Sequence, residues 1–334
     1  MSSAAVEEYV LADQPRKLTV VRDLPDRIFK IVATGGGVTV LGIMLLVGLF
    51  LTLRATDAIG NAGLSFLTTQ AWDTDNHHFG VAAVLVGTIL IALVAICVAV
   101  PLSTATALFL TEYATPRLRS FLVAVIDLMA AIPSVVYGLW GFFLLQSRVA
   151  PVSMWISRHF GWIPIFKVDG QDPNNPIPSS AAFTSSTLIA GLVVGMMVTP
   201  VVSSIMREVF SQVPLGEREG ALGLGATRWG VIRSVVLPFG KGGMIGGTML
   251  GLGRALGETI AVLMIVSPVF TIQPHILQSG AISVSSLIAL KFGEANHFGL
   301  SALMAAGLAL FLMTLVINFA ASSIVARSRS GASS

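Results

Sequence analysis

Long apolar runs alternate with short polar connectors along this chain, and the runs exceed what the core of a soluble domain needs. About 20 apolar residues cross roughly 30 Å of hydrocarbon. Six stretches meet that length: Ile31–Leu53, Val81–Leu110, Ser120–Leu145, Thr187–Met206, Met244–Phe270 and Phe298–Val325. Each is expected to form one membrane-crossing helix. The second is longer than required and contains Pro101, which predicts a kink or a tilt. Within the six, only Asp127, Arg254 and Glu258 carry charge.

Composition agrees with an all-α membrane protein. Hydrophobic residues make up 54% and charged residues 11%, against about 25% charged in soluble domains. The net charge of +3 is too small to point to nucleic acid. The single cysteine, Cys97, sits inside an apolar run, which excludes an intrachain disulfide and suggests a packing residue. Arg16, Lys17, Arg22, Arg27 and Lys30 precede the first run. That run outlasts a secretory h-region of about 7–15 residues, and no clear cleavage site follows, so it reads as a retained span.

The cations set the topology. One set of connectors holds 14 Lys and Arg: the five above, Arg117 and Arg119, then Arg207, Arg218, Arg228, Arg233 and Lys241 in the central loop, and Arg327 and Arg329. The other set holds 5: Arg54, Arg148, Arg158, Lys167 and Lys291. Both termini and the central loop are therefore expected on the cytoplasmic side. The implied organisation is a cytoplasmic segment (1–30), a six-span domain (31–326) with a cytoplasmic coupling loop (207–243), and a short tail (327–334). His77 and His78 in the first external connector lack further ligands at useful spacing and read as a solvated loop. Residues 146–186, with DPNNPIPSS, read as irregular chain edged by Trp155 and Trp162.

The central loop carries EGALGLGATRWGVIRSVVLP, Glu219 to Pro238. Pro214, Glu217 and Glu219 suit the opening turn of a helix over about Gly216–Leu224. Gly223 and Gly225 permit a sharp bend. Thr227 suits the cap of a second helix, which Pro238 is expected to end. This compact helix–turn–helix suits rigid docking of a partner.

The spacing resembles the EAA loop of ABC importer permeases: Glu219-Gly220-Ala221, three residues, Gly225, nine residues, then a close match to Ile-x-Leu-Pro ending in Leu237-Pro238. Gly220 replaces Ala and Val235 replaces Ile. The resemblance implies a type I (MetI-like) importer permease, with Glu219, Gly220, Ala221, Gly225, Leu237 and Pro238 in the segment that docks on an ATPase subunit. AAIPSVVYGLWGFF (Ala130–Phe143), MREVFSQVP (Met206–Pro214) and GGTMLGLGRALGETIAV (Gly246–Val262) are similar to one of the two sister permease subunits of phosphate-specific importers. Partners implied by this likeness are the second, sister permease subunit, an ATPase dimer and an external phosphate-binding protein, in the cytoplasmic membrane of a prokaryote. The chain has no GxxxxGK[ST] phosphate loop, so it is not expected to be an enzyme itself. ATP and Mg would sit on the partner ATPase, with no cofactor or metal on this chain.

On a continuous fifth span, Gly243, Gly247, Gly251, Arg254 and Glu258 share one stripe. The glycines would admit a neighbouring helix. Arg254 and Glu258, at i, i+4, would pair. Two readings stand: an ion pair that fixes packing, or a fixed cation for an oxyanion, since a guanidinium matches phosphate geometry. Ser134, Tyr137, Thr259 and Thr199 are candidate hydroxyl ligands along the same path. The expected function is phosphate import by alternating access. Transport of sulfate or molybdate on the same scaffold is the near alternative, and an ion-coupled secondary transporter, with Arg254 and Glu258 as a relay, the more distant one.

Overall fold

The computed structural model describes residues 24–170 and 179–329. Arg16, Lys17 and Arg22, most of DPNNPIPSS and the last five residues lie outside them. The chain divides into two units, one ending at Phe50 and one beginning at Leu51. In the first, the described residues belong to helix α1 (Leu24–Arg54), which begins well before the predicted span. It buries no residue and displays Phe29, Leu45 and Leu46 on its surface. So apolar a helix is stable only with hydrocarbon or another helix around it.

The second unit is built around α7 (Thr187–Ser211). Two-thirds (67%) of its most apolar window is buried, against 22–39% for the four other long apolar helices of this unit. Ser186 caps it, accepting the Ile189 N–H. On one side packs α3 (Ala82–Leu108), and on another α10 (Leu237–Leu256). The glycine stripe of α10 does what its spacing predicts. A Cβ at Gly251 would stand 2.6 Å from Val202 Cγ2, and Gly243 meets Val209 in the same way, so only glycine lets the two helices come this close. Ile189, Val193, Met197, Val202 and Met206 fill the resulting core.

Four expectations need correction. The third span is broken: α4 (Pro116–Ala131) stops and α5 (Ser134–Trp140) begins two residues later. Pro133 cannot donate to the carbonyl of Met129 four residues back, and it holds Ile132 in an extended conformation (ψ 128°). The Met129 carbonyl instead accepts the Ile132 N–H at 3.3 Å and the Tyr137 hydroxyl at 3.0 Å. Secondly, α5 does not give way to irregular chain after residue 145. It continues through a widened turn, Gly141–Leu145, into α6 (Gln146–Phe160).

The fifth span is shifted and broken as well. The helix opening at α9 (Arg228–Val231) passes Pro238 without stopping and runs into α10. A widened turn at Ile232–Val236, where the Leu237 N–H reaches back five residues to Ile232, makes room for the proline ring. The helix then ends at Leu256, and a short helix α11 (Ile260–Ile265) follows. Finally, Cys97 is exposed on the outer face of α3 rather than packed inside.

The connectors of the cation-poor set, around residues 70–79, 167–169 and 270–296, contact one another. The β-hairpin β1–β2 (Trp72–Asp73 and His78–Phe79) and the chain around 270–296 meet through Asn296 donating to Asp75 and the Ile272 N–H donating to Gln70. His77 packs edge-on against Phe298. Asp169 joins Lys167 at 3.1 Å and His275 at 3.3 Å. The Lys167 hydrogen bond, above all, holds the Asp169 carboxyl below its usual range. A depressed carboxylate of this kind stabilises the loop above the ordinary carboxylate range, and that contribution is lost as pH falls through the lowered value. The remaining helices, α12 (Val284–Lys291) and α13 (His297–Arg329), pack on each other and on α2 (Thr56–Ala62) through Ala58, Leu287 and Leu303.

Candidate functional site

Two places hold the residues singled out in the sequence. The first is α8 (Leu215–Gly223) with the turn behind it. Gly225 has φ +88°, a left-handed conformation that closes the helix while the Ala226 N–H bonds the Ala221 carbonyl. Thr227 caps α9, accepting the Gly230 N–H at 3.2 Å. The helix–turn–helix is thus formed. Glu219, Gly220, Gly225 and Pro238 are exposed, while Ala221 and Leu237 rest against the core around α7. Helix α8 buries no residue, and Leu222, Leu224 and Trp229 stand out beside it. Gly220→Ala should stabilise α8 by up to about 1 kcal/mol, since a methyl there meets open space. Gly225→Ala should cost about 1–2 kcal/mol through its left-handed backbone. Hydrogen exchange across residues 215–231 would register both.

Sequence reasoning missed the contacts that hold this segment. Arg218, in α8, pairs with Glu112 at 3.2 Å, and its other terminal nitrogen donates to the Phe210 carbonyl at 2.6 Å. Arg228 lies over the Tyr113 ring, 5.8 Å from its centre. Glu112 and Tyr113 belong to one widened turn, Phe109–Tyr113, that ends α3. Acid and base are distant in sequence, so no local spacing announces the pair.

The second place is where the two broken spans meet. Helices α5 and α11 pack directly, with Gly138 against the backbone of Ala261. Ser134 opens α5 and is half-buried. Tyr137 lies within electrostatic range of Arg254. It also lines an apolar cavity of about 410 Å³ with Ile132, Trp140, Met196 and Thr199. Arg254 sits in the last turn of α10 with its side chain exposed and, among the described residues, in no ion pair or hydrogen bond.

The predicted Arg254–Glu258 pair does not form. Helix α10 ends before Glu258, so the i, i+4 relation that would align the two is lost at Gly257. Glu258 instead accepts the Ala261 N–H at 3.2 Å, at the start of α11. Thr259 donates to the Gly257 carbonyl and accepts, through its own carbonyl, the Ser286 hydroxyl at 3.0 Å. Those bonds fix the break from both sides. Thr199 is occupied internally: its hydroxyl bonds the Gly195 carbonyl and its carbonyl takes the Ser103 hydroxyl. Asp127 is exposed on α4.

Arrangement and sequence together define a class. The family described as binding-protein-dependent transport system inner membrane component matches residues 99–330. The chain is also 38% identical over 303 residues to the phosphate transport system permease protein PstC 2 of Mycobacterium tuberculosis, covering 90% of this chain and 91% of that one. To the PstC of Pasteurella multocida it is 40% identical over 271 residues, with 80% and 81% covered. An inward-facing structure of the MetNI methionine ABC transporter is similar in fold, with TM-score 0.50 and 14% identity over 74% of this chain and 95% of that one. The chain belongs to the permease components of binding-protein-dependent transport systems, and within them to the PstC family. It is a multi-pass protein of the cytoplasmic membrane with the MetI-like permease fold.

Proposed function

We propose that this chain is one of two permease subunits of an ATP-driven importer and conducts inorganic phosphate. The observation that carries the reading is the bare guanidinium of Arg254 at the meeting point of two interrupted spans, in a chain of the PstC family. Interrupted helices offer unpaired backbone groups at membrane depth, where transporters bind their substrates. Arg254 supplies a planar cation suited to a phosphate oxygen pair. Ser134 supplies a hydroxyl near the same break, and those of Tyr137 and Thr259 lie there too, reaching phosphate only by leaving the Met129 and Gly257 carbonyls. Glu258 acts on Arg254 only at a distance and serves first to shape α11.

In this reading α8 and its turn, Glu219 to Gly225 with Leu237 and Pro238 behind, dock on an ATPase subunit. The ATPase, a PstB-like dimer, holds ATP and Mg. A PstA-like subunit completes the pore, and a PstS-like protein delivers phosphate from outside. Both chain termini and the docking segment are cytoplasmic, with residues 31–326 as the membrane domain between the 1–30 segment and the 327–334 tail. The test is uptake of radiolabelled phosphate by the reconstituted complex, with excess unlabelled oxyanions present. Unlabelled phosphate should abolish the signal and sulfate and molybdate should leave it intact. Equal competition by sulfate would reject phosphate as the particular substrate.

A further inference from the structure

Helix α8 is anchored in an unusual way for a segment that must bear force. It buries no residue, and its apolar attachment to the rest of the chain is chiefly the half-buried Ala221. Its strong contacts are polar and come from Arg218, whose side chain is 18% exposed and meets a Glu112 side chain that is 12% exposed. Water is therefore largely excluded from this pair, and charges interact more strongly there than at an open surface. The Arg218 fork spans two elements at once: Glu112 at the end of α3 and the Phe210 carbonyl at the end of α7. Arg228, on the far side of the turn, reaches the neighbouring Tyr113.

We infer that Glu112 and Arg218 form a strut that makes α8 and the ends of α3 and α7 move as one body. They are then positioning residues for coupling, distinct from those that touch the ATPase or the substrate. The geometry favours this over simple stabilisation. A buried ion pair is a weak source of stability compared with apolar packing, and this one leaves the Arg218 Nε and Glu112 Oε1 atoms buried without a hydrogen bond. What it provides is direction. A planar guanidinium hydrogen-bonded to one element and ion-paired to the other resists rotation of α8 about its own axis, which a single alanine contact does not. Motion imposed on α8 is thereby delivered to α3 and α7, the two most closely packed helices of the unit.

The inference rests on the proposed docking role of α8, and its test separates the two. In the complete reconstituted complex with Cys97→Ser, spin labels are placed at Ala105 on α3 and Glu217 on α8, both exposed. With the strut intact, the separation should be narrow and equal with and without ATP. Arg218→Gln should broaden it or make it change with nucleotide, and Glu112→Gln, which keeps the side-chain shape, should do the same. The double variant should be no worse than either single one. In parallel, phosphate carried per ATP hydrolysed should fall about tenfold in each single variant while ATP hydrolysis persists. Distance distributions unchanged in both single variants would overturn the strut. So would additive losses in the double variant. A wild-type complex that moves no phosphate would instead refute the functional reading, and the label distances would still decide on the strut.

Discussion

Replacement of Gly138 by valine should abolish phosphate uptake and lower the thermal midpoint of the purified complex by several degrees. A Cβ at this position would stand 2.9 Å from Ala261 Cα and 3.3 Å from Met264 Sδ. The first neighbour is backbone, which cannot swing aside as a side-chain tip can. Overpacking of a filled site costs about 1–3 kcal/mol, a large share of the margin of a folded domain. The damage falls where α5 and α11 touch, so it should separate the two interrupted spans as well as weaken them. Gly138→Ala should show a milder form of the same defect. Normal uptake by the valine variant at wild-type expression would mean that the α5–α11 contact is dispensable.

Arg254→Gln should reduce phosphate uptake about 10- to 150-fold, the equivalent of losing a charge-assisted hydrogen bond of about 1.5–3 kcal/mol. Assembly and thermal stability should change little, because Arg254 is exposed and, among the described residues, has no ion pair to be broken. Arg254→Lys retains the charge without the planar fork and should fall between the two. Glu258→Gln should behave differently. Its amide oxygen can still accept the Ala261 N–H, so uptake should fall far less than in the arginine variant. Equal losses at the two positions would restore the ion-pair reading that the geometry speaks against.

The contrast between these two residues shows where the sequence was legible. The apolar runs announce themselves because hydrocarbon tolerates few charges: the second, fourth and last spans lie close to where hydropathy puts them, and the amino-terminal helix contains its predicted span with an added start. The cap at Thr227 and the turn at Gly225 were readable because both depend on a few adjacent residues. The glycine stripe was readable because α10 is continuous over it. Pairing Arg254 with Glu258 failed because it extended helical periodicity across Gly257, where bonds from Glu258 and Ser286 hold a break. Pro133 and Pro238 look alike in sequence but behave differently. One leaves a broken span closed by Tyr137, and the other is absorbed by a widened turn. Tertiary neighbours decide between those outcomes. The Glu112–Arg218 pair was illegible for a related reason, since it exists only once α3 and α8 are folded side by side.

The widened turn before Pro238 has a mechanical consequence. Without it the proline would end the helix and leave a hinge between the docking segment and the membrane. With it, the chain from Arg228 to Leu256 is a single rod. From Pro238 to Arg254 that rod is about 24 Å long at 1.5 Å per residue. Pivoted at its docking end, it is a lever. A tilt of about 10° sweeps the far tip through about 4 Å, more than the length of a hydrogen bond. If this segment docks on an ATPase as proposed, a small rotation there is enough to bring the Arg254 guanidinium onto a phosphate oxygen or take it away.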